Sequence, residues 1–279
     1  MNTIKELIIY WILILNSFNA LSQNLEETLI FAEKLLVEGR FEQAAKSFKR
    51  VLFFDDEHLY DHRSIHGLAL STYEIQDYTT SSKYFQNAFR NTRNVEDFYY
   101  HVFSLLALEK YQLAKRSMLT LNDTTESLKI SKNVLLGVIN FYLDNFEIAE
   151  KHFQEVNAIV DDDGIFLQNI LKSNAKAQRK KPITALLLSA FLPGAGQFYS
   201  KHHKEGVNSL LLMSAVFYIY YYSITTYGVF DAVLTILPWF QRYYVGGLNM
   251  SANLVKDYKD ERKTVLYNDL VNYYYPLLE

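Results

Sequence analysis

All four prolines of the chain, Pro182, Pro193, Pro238 and Pro276, lie beyond residue 181. Proline removes a backbone donor and clashes with the preceding turn, so its absence leaves the first 181 residues free to run as helix. Only Gly39, Gly67, Gly137 and Gly164 interrupt that stretch with glycine. An all-α fold is therefore expected. The chain has no cysteine, which excludes disulfides, thiolate catalysis and thiolate metal sites. A net charge of -3 supplies no basic field for nucleic acid.

Within the proline-free region one pattern recurs four times. An aromatic is followed by a small residue three positions on, a bulky apolar residue four beyond that, and an apolar or small residue three later. The copies are Phe41, Ala44, Phe48, Val51; Tyr78, Ser81, Phe85, Ala88; Tyr111, Ala114, Met118, Leu121; and Phe146, Ala149, Phe153, Val156. Their leading aromatics are 37, 33 and 35 residues apart. Positions three, four and seven apart share a helical face, so each copy presents one apolar stripe. Nine residues before each aromatic stand Ala32, Ala69, Val102 and Gly137, small or compact as a close helix crossing requires.

This period and pattern resemble the tetratricopeptide repeat over residues 25–165, with about four repeats. The usual inter-repeat proline is missing, and Val102 replaces the small first-helix residue in the third copy. The resemblance implies a helical-hairpin solenoid whose first helices line a concave groove that binds a peptide or protein partner. Aligning the copies places Arg63, His66, Tyr73, Tyr99, Phe103 and Phe141 on that inner face. Aromatic and arginine side chains are the usual anchors of an interface.

Ahead of the repeats, Lys5 and the apolar run Leu7–Leu15 lead to Ala20-Leu21-Ser22-Gln23, the proportions of an export signal over 1–22.

The last hundred residues change character. After a basic linker (166–182) carrying Lys172, Lys176, Arg179, Lys180 and Lys181, no charge occurs from Pro182 to Ser200. From Gly206 to Phe230 there are 25 uncharged residues in a row. The second run is long enough to cross a hydrocarbon core, so a transmembrane helical hairpin is expected within 183–250. Ala232–Gln241 is a weaker spanning candidate because Arg242 adjoins it. Residues 251–279 read as an amphipathic C-terminal helix lying on the bilayer or packing on the repeats.

Leu192-Pro193-Gly194-Ala195-Gly196-Gln197-Phe198-Tyr199, followed by Lys204 and Gly206, looks like the P-G-x-G-Q-x-Y motif of a small bacterial membrane domain of unknown function. That domain is similar to the two-transmembrane-helix domain. The resemblance covers roughly 180–255 and makes Pro193, Gly194, Gly196, Gln197, Tyr199 and Gly206 the residues of the hairpin turn. Lys201 stands where a glycine usually follows the tyrosine.

No phosphate-binding glycine loop, nucleophile elbow or paired zinc-ligand spacing occurs, and Asp161-Asp162-Asp163-Gly164 lacks the closing glutamate of a calcium loop. The expected protein is not an enzyme and needs no cofactor. It is a membrane-tethered interaction scaffold of a bacterial envelope, with membrane lipid and a protein or peptide as partners and no small-molecule substrate. The alternatives are a structural subunit of a larger membrane complex and, third, a transporter or intramembrane enzyme. The basic residues before the first apolar run favour a cytoplasmic flank. An export signal would carry the folded repeats to the periplasmic face of the inner membrane regardless of that charge.

Overall fold

The computed structural model describes residues 24–122 and 125–278. The expected export signal lies outside the described residues. Of the described residues 85% are helical, and none is in a strand. It divides into two compact units that meet at Leu121/Asn122.

The first unit holds three helical hairpins: α1 (Leu25–Val37) with α2 (Phe41–Phe54), α3 (Asp61–Glu74) with α4 (Tyr78–Thr92), and α5 (Val95–Ala107) with α6 (Tyr111–Thr120). The second unit opens with a fourth, α7 (Glu126–Tyr142) with α8 (Phe146–Val160). Each leading aromatic of the sequence pattern is the first residue of the second helix in its hairpin, and the three residues that follow it in the pattern are buried in every copy. Burying a Phe, Leu or Val side chain is worth about 1.5–3 kcal/mol, so the stripe drives the pairing. Ala32, Ala69 and Val102 are likewise fully buried.

The same left-handed turn closes every hairpin, with Gly39, Gln76, Glu109 and Asp144 at φ between 57° and 73°. Each turn makes two bonds back onto the first helix, as Arg40 N to Leu35 O (2.9 Å) and Gly39 N to Leu36 O (3.1 Å) illustrate. These bonds satisfy carbonyls left open at the helix end. Helix starts are capped by Asn24, Asp77, Asn94 and Thr125, whose side chains accept from the first-turn amides.

The second unit departs from the expected boundaries in three ways. Residues 165–178 are no linker but a helix, α9 (Ile165–Gln178), because Leu167, Ile170, Asn174 and Ala177 recur on one face and are buried while the basic side chains point away. The C-terminal helix is longer than expected: α14 (Gly246–Tyr274) runs unbroken for 29 residues. It packs against α7–α9 through Leu266, Leu270 and Tyr274. That contact ties the fourth hairpin to the C-terminus and removes it from the first three.

Between α9 and α14 lie α10 (Pro182–Phe191), the single-turn α11 (Ala195–Tyr199), α12 (His203–Tyr227) and α13 (Val229–Phe240), the last joined to α14 by a π turn at Gln241–Val245. Pro238 sits inside α13, and the widened turn three residues on accommodates the bonding register that a proline disrupts. α12 pairs with α13, whereas α10 packs along α14. The expected pairing of the two uncharged runs with each other does not form. At ten residues, about 15 Å, α10 is two-fifths the length of α12.

Candidate functional site

Two clusters carry the residues singled out by sequence. In the first unit Arg63 on α3 forms a two-pronged ion pair with Glu33 on α1, Nε to Oε1 at 2.9 Å and Nη2 to Oε2 at 2.7 Å. The bond holds the guanidinium above its ordinary value. His66, one turn along α3, places Nδ1 2.6 Å from Oδ1 of Asp97 on α5. Asp97 is fully buried, and its other oxygen has no hydrogen-bond partner among the described residues. Both pairs join first helices of consecutive hairpins. Neither Glu33 nor Asp97 was expected, although each lies about one repeat from its partner, 30 and 31 residues away.

The aromatic residues continue this face. Tyr73 meets Tyr100 edge to face at 5.2 Å, Tyr100 meets Phe103 at 6.3 Å, and Tyr99 stacks on Phe103 at 6.4 Å. Tyr73, Tyr99 and Phe103 are half-buried. The structure therefore brings Arg63, His66, Tyr73, Tyr99 and Phe103 onto helices α3 and α5 of one unit. Phe141 does not join them. It is fully buried in the second unit beside Phe146, ring centroids 5.2 Å apart, and is a packing residue with no surface to offer.

Behind the face, His101 is buried between α4 and α6. Its Nδ1 lies 2.9 Å from the Ser82 carbonyl, which can only accept, so Nδ1 carries the proton and Nε2 faces the Ser117 hydroxyl at 3.2 Å. Burial pushes this imidazole below its usual value, and Arg90 adds to the shift.

The second cluster is the glycine–glutamine motif. After α10 ends at Phe191, Leu192 is extended and Gly194 takes φ +95°. A Cβ on Gly194 would stand 2.4 Å from the Gly206 carbonyl oxygen, and one on Gly196 would stand 2.1 Å from that of Ala185. Both glycines let backbone touch backbone. Gln197 is fully buried and links three elements: its Oε1 accepts from Ser189 of α10 (2.9 Å), and its Nε2 donates to the Gly247 carbonyl of α14 (3.1 Å). Ser189 Oγ in turn accepts from Gly196 N at 2.9 Å. Gly206 abuts the Phe198 ring, and Pro193 stands half-buried at the turn. Tyr199 turns to the start of α10, its hydroxyl accepting from Lys181 N (3.2 Å) and its carbonyl from Lys180 Nζ. Lys201, in the position where the resemblance leads one to expect glycine, has φ +66°, the backbone conformation that favours glycine.

A lysine–tyrosine group borders this motif. Lys180 Nζ lies 4.2 Å from the Tyr199 ring centroid and 5.3 Å from that of Tyr258, and Lys201 Nζ lies 5.7 Å from Tyr258. Desolvation lowers the Lys180 ammonium pKa, with the charges of Lys201 and Lys176 acting in the same direction.

Among the described residues no group of three or more His, Asp or Glu side chains is arranged to hold a metal ion. Among the described residues one helix, α12, is long and apolar enough to cross a membrane. Searches of family models, curated proteins and solved structures find no match to this chain.

Proposed function

We propose that the protein is a membrane-tethered interaction module of a bacterial envelope, in which tetratricopeptide-like hairpins hold a protein or peptide partner and the C-terminal helices fix them at the bilayer. The observation that carries the tether is the outward display of large apolar side chains on α10, α12 and α13. Phe191, Leu211, Tyr218, Phe230 and Leu234 are each more than half exposed. In α12 only 17% of the apolar window is buried, whereas the core helix of a water-soluble protein would bury most of it. Its 25 residues extend about 37 Å, enough for a hydrocarbon core of about 30 Å. In the broken segment Gly194 is buried against α12 and Gln197 is bonded to α14, so part of the irregular backbone is shielded as lipid requires.

The partner surface is the face built from Arg63, His66, Tyr73, Tyr99 and Phe103. It combines a fixed guanidinium with partly buried aromatic side chains, the residue types from which interface anchors are drawn. No catalytic role is assigned to it. The repeats lie on the periplasmic side of the inner membrane in this reading.

A second reading, a structural subunit of a larger membrane complex, is favoured by the gap between α12 and α13. A cavity of about 290 Å³ lined by Leu212, Ile219, Trp239 and Tyr243, among others, would accept side chains of a neighbouring helix.

Fractionation and capture test both parts. The full chain should stay in the membrane pellet after alkaline carbonate washing, and release into the supernatant would end the tether reading. Partners captured from solubilised membranes by the full chain should be lost with Arg63→Glu and Phe103→Ala. Unchanged capture by both variants would move the binding site elsewhere and favour the subunit reading. A cysteine at the exposed Thr79 reports the side: labelling by an impermeant maleimide in intact spheroplasts is expected, and protection would place the repeats in the cytoplasm.

A further inference from the structure

We propose that Lys180 and Lys201, set over the Tyr199 and Tyr258 rings, form a binding site for the phosphate headgroup of an anionic phospholipid. The inference rests on the tether reading and adds the lipid class that the tether selects. Lys180 stands two residues before α10, Lys201 stands two residues before α12, and Tyr258 belongs to α14. Three separate helices thus converge on one spot. Both ammonium groups lie within 6 Å of the same Tyr258 ring.

The group has positive charge and nothing to balance it. Neither Lys180 nor Lys201 has a carboxylate partner among the described residues. Lys180 is anchored by donating to the Tyr199 carbonyl, which leaves two further protons to offer. The lowered ammonium pKa of Lys180 has the same origin: burial first, then repulsion from Lys201 and Lys176. A phosphate placed between them would reverse that repulsion.

Lys201 holds φ +66°, in the left-handed region that favours glycine. From that turn its cationic side chain reaches the Tyr258 ring.

A phospholipid, not free phosphate, fits the surroundings. Exposed apolar side chains begin one turn beyond the lysines, with Ile183 and Leu187 on α10 and Val207 and Leu211 on α12. Acyl chains descending from a headgroup at Lys180 would run along these side chains. Anionic lipid gains about fivefold in affinity for each lysine near the surface.

The test uses the full chain in nanodiscs of phosphatidylcholine containing a minority of phosphatidylglycerol, with the lipids that remain bound counted by native mass spectrometry. The wild type should retain phosphatidylglycerol several-fold above its share of the bilayer, and Lys180→Gln with Lys201→Gln should bring it down to that share. A control pair that removes the same charge outside the group, Lys172→Gln with Arg179→Gln, should leave retention unchanged. Equal loss in both pairs would mean diffuse attraction and overturn the site. Lys201→Gly, which relieves the backbone while deleting the charge, should lower retention about fivefold while raising the unfolding temperature, which separates lost binding from lost folding. Complete displacement of phosphatidylglycerol by excess inorganic phosphate would overturn the lipid as occupant. Incorporation without enrichment defeats this proposal alone, whereas failure to enter nanodiscs at all defeats the tether reading beneath it.

Discussion

The side-chain amide of Gln197 donates to the main-chain carbonyl of Gly247, fifty residues further along, at 3.1 Å. This bond and the one from Ser189 join α10, α11 and α14 at a point where no side chain is exposed.

Gln197→Leu should therefore destabilise the second unit well beyond its loss of packing. It removes the acceptor of the buried Ser189 hydroxyl and one donor to the Gly247 carbonyl, and a buried polar group left without its bond costs about 1–3 kcal/mol. Thermal unfolding in detergent, followed by circular dichroism, should show a lower midpoint. A midpoint equal to wild type would mean that water replaces the amide and that the link is not structural.

The hairpin turns offer a test in the opposite direction. Gln76, Glu109 and Asp144 hold φ near +60°, as Gly39 does at +73°. Gln76→Gly should raise stability by about 1 kcal/mol, and Gly39→Ala should lower it by a similar amount. Urea titration of the two variants decides the point. A destabilising Gln76→Gly would show that the glutamine side chain contributes more than its backbone costs.

Gly67 and Gly137 are set against aromatic rings. A Cβ at Gly67 would come within 2.2 Å of Phe48, and one at Gly137 within 2.8 Å of Phe153. Overpacking of this kind costs about 1–3 kcal/mol, against which alanine returns about 1 kcal/mol of helix propensity. Gly67→Ala should be the more damaging of the two, and adding Phe48→Leu should restore part of the loss. No recovery in the double variant would place the strain elsewhere.

His101 gives the first unit a pH dependence of known sign. Burial holds its imidazole below the ordinary value of 6.5, so the unfolded chain takes up the proton more readily than the folded one. Stability from this group is complete well above pH 6.5 and declines as pH falls below it, levelling only under the folded value. His101→Gln should flatten the decline measured by urea titration between pH 7.5 and about 5. An unchanged slope would assign the acid sensitivity to other groups.

The hairpins were legible because their signal is local. The stripe beginning at Phe41 depends on residues within ten positions, and the three copies after it reproduce it. Gln76, Glu109 and Asp144 conceal the turn that Gly39 announces, since they adopt its geometry without its side-chain signature. The helix over 165–178 was hidden by charge: Lys172 and Lys176 dominate the composition, while Leu167, Ile170 and Ala177 carry the packing. The fate of Phe141 and of the fourth hairpin was set from far away. The C-terminal half of α7 is buried, and α14 reaches both helices of the hairpin: Lys263 Nζ donates to the Tyr142 carbonyl of α7 (3.2 Å) and Tyr274 Oη to Asn157 of α8 (2.8 Å). A repeat pattern carries no record of a helix 120 residues downstream. In the motif, the glycines were visible as a break, but their partners Ala185, Ser189 and Gly247 belong to elements whose pairing only the folded chain defines.

After Gly247, α14 contains neither proline nor glycine up to Tyr274, a rod of about 40 Å that is gripped at both ends. A tilt of ten degrees at the end held by Gln197 would swing the far end by roughly 7 Å, given helical rise per residue. Tyr273 and Tyr274 are bonded there to Asp162 and Asn157, so the swing cannot be absorbed without moving α8 as well. The rod thus links the glycine–glutamine turn at one end to the fourth hairpin at the other.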